Sequence, residues 1–322
     1  MLIPILLFIV GLVLLIKGGD WFVDGATGIA RKFNIPELLI GATVVSIGTT
    51  LPEVMVSATS AIGGHGEIAY GNAIGSIICN TSLIAALTIA IKPGKAERST
   101  MVVPVIFFFG AAVFYSVVAY TTGYFSRLTG IILLLGFLAY IAINVRSVLK
   151  ISNSNNANAT QSEQTSGMVK FIILLVVGAA LIAIGADLLV DNGIIIAKAF
   201  GVPESVIALT FVALGTSLPE LVTALTALIK GHGALSLGNI IGANLFNLVL
   251  VSGVSVVLSP FAIPSSSKIM GNNASLVLDI PVMFAVMLIL TVPALIRQKL
   301  SKVQGISLLL IYAAFCTIQF IM

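Results

Sequence analysis

Charge is scarce in this chain of 322 residues: 9% are Asp, Glu, Lys or Arg, while 58% are hydrophobic. That balance excludes the water-soluble classes and predicts a polytopic membrane protein. Cysteine is nearly absent. Cys79 and Cys316 sit inside apolar runs, where a thiol behaves as a small hydrophobe, so they say little of redox compartment. His65 and His232, the two histidines, lie in Gly-His-Gly turns and read as exposed interfacial loop residues with no assigned role. The net charge of +4 records membrane topology and implies no nucleic-acid partner. A basic n-region is missing before the first apolar run, 2–16, and Lys17-Gly18-Gly19-Asp20 follows in place of a small-residue cleavage site. That run is expected to be a retained span.

Long apolar runs are what the chain does have. Stretches such as 101–121 and 127–149 approach the roughly 20 residues that a helix rising about 1.5 Å per residue needs to cross the hydrocarbon core. The expected fold is an all-α polytopic membrane protein of ten transmembrane helices, over 2–24, 33–62, 67–91, 101–121, 127–149, 168–192, 204–229, 234–258, 274–296 and 304–321. The segment 150–167 is polar and free of aromatics, and reads as a flexible cytoplasmic linker between 1–149 and 168–322.

Set against itself at an offset of 167, the chain aligns 11–80 with 178–247 without a gap, and 29 of the 70 pairs are identical. With five spans each, an odd number, the second repeat enters the membrane in the opposite sense to the first. Inverted repeats are a secondary-transporter architecture whose substrate site lies near the midplane, where interrupted helices meet. An outside N-terminus puts Arg31, Lys32, Lys92, Lys95, Arg98, Arg146, Lys150, Lys170, Lys230, Arg297, Lys299 and Lys302 in the cytoplasm. Only Arg127, Lys198 and Lys268 then face out, so both termini are expected outside.

The repeat carries its chemistry in Gly48-Thr49-Thr50-Leu51-Pro52-Glu53 and Gly215-Thr216-Ser217-Leu218-Pro219-Glu220. A carboxylate inside a membrane span costs about 2.5 kcal/mol or more, so its presence marks function. A proline in a helix removes one N–H, so Pro52 and Pro219 are expected to free backbone oxygens around Gly48 and Gly215. Thr49 and Glu53 are four apart, as are Thr216 and Glu220, and each pair shares a helix face. The next spans carry Gly71-Asn72-Ala73-Ile74-Gly75-Ser76 leading to Asn80, and Gly238-Asn239-Ile240-Ile241-Gly242-Ala243 leading to Asn247. Glycines four apart predict close helix packing. Ser76 and Asn80 would add neutral oxygens, while Asn72 and Asn239 fit two roles, ligation or hydrogen bonding to the opened backbone.

Carboxylate, hydroxyl, amide and carbonyl oxygens without thiolate or imidazole suit a hard cation, and an irregular cage suits Ca²⁺ better than Mg²⁺. Asp20, Asp24, Asp187 and Asp191 read as span-end residues that snorkel or bond locally. Glu37 and Glu204, each after a proline, read as complements to a helix N-terminus.

At these motifs the sequence resembles the sodium/calcium exchangers of the calcium:cation antiporter superfamily, across both repeats and the ten-span layout. The resemblance implies an exchanger with four cation subsites, in which sodium entry drives calcium extrusion by alternating access. It implies that Glu53 and Glu220 serve both ions, that Thr49 and Thr216 give oxygens to calcium, and that Thr50, Ser217 and Ser76 bind sodium through hydroxyls. Ser46 and Ala213 would bind sodium through main-chain carbonyls, and Asn80 and Asn247 would complete the centre. Ala243 stands where the family often has serine, which removes a hydroxyl from one sodium subsite. Asn247 replaces an aspartate of some members, including the potassium-dependent branch, and disfavours potassium use. Two carboxylates balance one Ca²⁺ but leave one positive charge beside three Na⁺, so three-for-one exchange would be electrogenic.

Proton/calcium exchange is the competing mechanism, since buried acids can carry protons; the paired hydroxyls favour sodium. A cation channel is a second class, which two inverted halves around one site argue against. A catalytic dyad is a third, and no enzyme activity is expected. No cofactor is expected, Ca²⁺ and Na⁺ being cargo. The partners are those ions and the bilayer, the unit a monomer, and the location a prokaryotic cytoplasmic membrane.

Overall fold

The computed structural model describes residues 2–155, 168–200, 215–265 and 267–321. Among these are nine helices long and apolar enough to cross a membrane and one shorter apolar helix. In chain order they are α1 (Leu2–Lys32), α2 (Glu37–Ile62), α3 (Gly66–Ile91), α4 (Arg98–Thr122), α5 (Arg127–Asn155), α6 (Met168–Ala199), α7 (Leu218–Ile229), α8 (Gly233–Leu258), α9 (Ser275–Arg297) and α10 (Lys302–Ile321). The span expected over 204–229 is thus described only in its last part; Glu204 and Ala213 lie outside the described residues. Of the segment expected to be a linker, 150–155 continues α5 and 156–167 lies outside the described residues.

Two sets of turns identify the two membrane faces. On one, Tyr124–Phe125 pairs antiparallel with Phe261–Ala262, Ile263 N–H donates to Gly123 O, and Phe261 lies against Gly66. That gathers the turns after α2, α4 and α8. On the other, Lys95 bridges Lys299 and Ala96 N–H donates to Gln298 O, joining the turns after α3 and α9. Helices of this length join the two faces, so Leu2 and Ile321 both lie on the first, the termini face.

The inversion is visible in how α1 meets α6. A Cβ on Gly11 would meet Gly185 O at 2.8 Å, and one on Gly185 would meet Gly11 O at 2.8 Å; Gly18 and Gly178 repeat this at 2.9 Å both ways. Gly178 and Gly185 are the repeat partners of Gly11 and Gly18, so the two helices run antiparallel and the contact is its own two-fold image. Lipid supplies no hydrophobic drive for helix association, and close backbone approach takes its place. The outward face of α1, with Ile9, Leu12, Val13 and Ile16, is exposed aliphatic surface suited to lipid.

At the centre stand α3 and α8, the most enclosed spans. Both change from α to π geometry at matched asparagines, over Asn80–Ala85 and Asn247–Val251. Further π turns occupy Gly41–Val45 in α2 and Ser275–Asp279 in α9. Such turns interrupt the regular hydrogen-bond ladder and gather at functional sites. The expected irregularity of α2 lies earlier than its proline indicated: Ser46–Ile62 is one α-helix with Pro52 inside it, and the distorted turn is Gly41–Val45, where Tyr140 O–H of α5 donates to Ala42 O at 2.8 Å. Pro219 instead sits in the first turn of α7, where a missing N–H costs nothing.

Candidate cation site

Glu53 on α2 and Glu220 on α7 are both fully buried, and none of their four carboxylate oxygens has a hydrogen-bond partner. They lie close enough for their charges to repel. Thr50 Oγ1, Ser217 Oγ and both amide atoms of Asn80 and Asn247 are likewise buried without a partner. The four helices that carry these groups, α2, α3, α7 and α8, pack on one another. Each unsatisfied polar atom costs about 1–3 kcal/mol, more when charged. A set of this size, mostly oxygens, is the signature of a site for a positively charged ligand. Among the described residues no three His, Cys, Asp or Glu side chains group to hold a metal, so the formal charge is that of two carboxylates and the other donors are neutral. That donor chemistry fits a hard cation.

Matched hydrogen bonds lock the two repeats across this centre. Thr49 O–H donates to Asn239 Oδ1 at 3.2 Å, and its repeat partner Thr216 donates to Asn72 Oδ1 at 3.1 Å. Thr49 also lies beside the Glu220 carboxylate, but its proton goes to Asn239. Asn72 further donates to Glu53 O at 3.2 Å and to Ser57 Oγ at 2.8 Å. Asn72 therefore ties threonine and backbone together, whereas the Asn239 amide accepts from Thr49 and its nitrogen is buried without a partner. Ser46 O–H donates to Gly41 O and Asn239 O, while its own carbonyl faces the Thr49 hydroxyl at 3.5 Å. Ser76 is buried and lines, with Asn72 and Thr216, a cavity of about 420 Å³ that also contains Gly71 and Gly75.

Three expectations are corrected. The glycine stripe of α3 does not pack: a Cβ on Gly71 or Gly75 would meet nothing within 4 Å, because both face the cavity. In α8 the expectation holds, since a Cβ on Gly242 would meet Ser46 Oγ at 2.3 Å and one on Gly238 would meet Leu38 O at 2.2 Å. His232 is not an exposed loop residue, for its Nδ1 lies 2.8 Å from Glu37 Oε1. His65 is exposed, as expected. Nor do Asp20 and Asp24 merely snorkel: they flank the Lys230 ammonium, which lies 3.4 and 2.8 Å from their carboxylates and donates to Asp20 O at 2.9 Å.

Some buried polar groups have no polar partner in the repeat. Asn244 stands opposite Ile77, and Thr81 opposite Leu248. The Asn244 amide nonetheless donates to Thr81 Oγ1 at 2.7 Å beside the central π turns. Thr223, buried with an unpartnered hydroxyl, follows Glu220 by three residues. Its helix-face spacing to Glu220 was the available signal.

Inverted helical halves enclosing a buried, oxygen-rich, doubly acidic centre define a polytopic membrane transporter of cations. Residues 3–146 and 170–321 match the family described as sodium/calcium exchanger protein. The chain belongs to that family, whose members are transporters and not enzymes. It is 33% identical to the putative antiporter CaxA of Alkalimonas amylolytica, covering 100% of this chain and 99% of the relative. It is 31% identical to the sodium/calcium exchanger MaX1 of Methanosarcina acetivorans, over 98% of each. A solved structure of the sodium-calcium exchanger NCX_Mj superposes with a TM-score of 0.81 at 31% identity, covering 98% of this chain and 97% of that one.

Proposed function

We propose that this protein exchanges Na⁺ for Ca²⁺ by alternating access in a prokaryotic cytoplasmic membrane, as a monomer of two inverted halves, 1–149 and 168–322, joined by 150–167. The observation that carries this reading is the buried pair Glu53 and Glu220 with unpartnered oxygens from both halves around it. Glu53 and Glu220 would serve both ions, Thr49 and Thr216 calcium, and Thr50, Ser217, Ser76 and the Ser46 and Ala213 carbonyls sodium, with Asn80 and Asn247 at the centre. Two carboxylates neutralise one Ca²⁺, so calcium and three Na⁺ cannot occupy overlapping subsites together, and mutual exclusion enforces exchange. Three-for-one exchange moves one net charge, worth about 2.3 kcal/mol per 100 mV. Unpartnered hydroxyls on Thr50 and Ser217 favour Na⁺ over H⁺, since a carboxylate carries a proton without such ligands.

The test is ⁴⁵Ca²⁺ uptake into Na⁺-loaded proteoliposomes diluted into Na⁺-free buffer. Uptake that needs internal Na⁺, survives collapse of the pH gradient and carries current is the expected result. Uptake that ignores Na⁺ and follows an imposed proton gradient replaces sodium by protons. Electroneutral uptake removes the three-for-one stoichiometry.

A further inference from the structure

An acid outside the repeat's chemistry stands in the wall of the same cavity. Asp279 ends the π turn Ser275–Asp279 on the termini-face side of α9, and the offset of 167 sets it against Ala112. Gln319 of α10 holds its carboxylate, with Nε2 donating to Oδ1 at 2.7 Å. Among the described residues no cation pairs with Asp279, and it is the single charged residue in a cavity wall that includes Asn72, Ser76 and Thr216. Structure alone does not require the charge, because an asparagine oxygen would accept the Gln319 hydrogen bond equally well. A lone carboxylate in an otherwise apolar or neutral cavity wall focuses the field and raises the local concentration of cations.

We propose that Asp279 is a first cation station, capturing hard divalent and monovalent cations at the termini face before they pass to Glu53 and Glu220. The assignment rests on the antiport reading, but not on the identity of the counter-ion. It is tested by ⁴⁵Ca²⁺/Ca²⁺ self-exchange in right-side-out and inside-out vesicles at low ionic strength, with Asp279→Asn, Asp279→Glu and Gln319→Glu. Asp279→Asn is expected to raise the half-saturating Ca²⁺ concentration about tenfold in one vesicle orientation only, with the maximal rate kept. Asp279→Glu restores it, and Gln319→Glu, which adds a second carboxylate, lowers it below wild type. Half-saturation that is unchanged, that shifts equally at both faces, or that stays put while the maximal rate falls overturns the assignment. Should Asp279→Asn fail to reach the membrane, Gln319→Glu decides alone: a one-sided fall supports the station, and no fall removes it. Wild-type vesicles without self-exchange would instead sink the antiport reading itself.

Discussion

The stripes Gly71/Gly75 and Gly238/Gly242 have the same spacing and the same sequence neighbours, Asn72 and Asn239, yet opposite surroundings. On α8 the stripe is pressed against Leu38, Ala42 and Ser46 of α2; on α3 it borders a cavity of about 420 Å³. The packed stripe lies in the half of the membrane away from the termini, the open one in the half beside them. Two copies of one motif thus occupy two states at once. Inverted repeats are the architecture in which such a difference can pass from one half to the other, as the proposed antiport requires.

The largest effect should come from the feature that the halves share. Glu53→Gln and Glu220→Gln each remove one of two buried charges from the site, a loss of about 3–5 kcal/mol, or about a hundred- to several-thousandfold, in Ca²⁺ flux across reconstituted vesicles. Similar losses would support a shared central site; a large loss in one variant alone would break the symmetry there.

Next come the stripes themselves. Gly242→Ala forces a Cβ into Ser46 and Ala42 and should destabilise by about 1–3 kcal/mol in thermal unfolding in detergent. Gly75→Ala meets open space and should be neutral, or stabilising by about 0.5–1 kcal/mol through helix propensity. Equal costs would erase the asymmetry.

Smaller again are the cross-repeat bonds: Thr49→Val and Thr216→Val should each cost about 0.5–1.5 kcal/mol in the same melt, and by similar amounts if the pseudo-two-fold is energetic as well as geometric. Least of all is Lys230→Ala. Its pairing with Asp20 and Asp24 is partly exposed and should be worth at most about 1 kcal/mol, shrinking as salt is raised.

The apolar runs, the inversion and the acid pair can all be read from the letters. Hydropathy is set residue by residue against the bilayer, and an exact offset of 167 needs no coordinates to be seen. Asn80 and Asn247 stand out in the letters as amides at matched positions of the repeat, whereas the roles of Ser46, Thr50 and Ser217 come only from the family resemblance. What each motif faces depends on how the helices pack. Asn72 meets Thr216, His232 meets Glu37 and Lys230 meets two acids of α1 because helices distant in the chain bring them together. Asn244 with Thr81, and Asp279 in the cavity wall, have no polar repeat partner and so left no periodic trace. Nor could the letters distinguish the packed stripe from the open one. Gly-x-x-x-Gly permits close approach without requiring it, and the choice belongs to the helix on the other side.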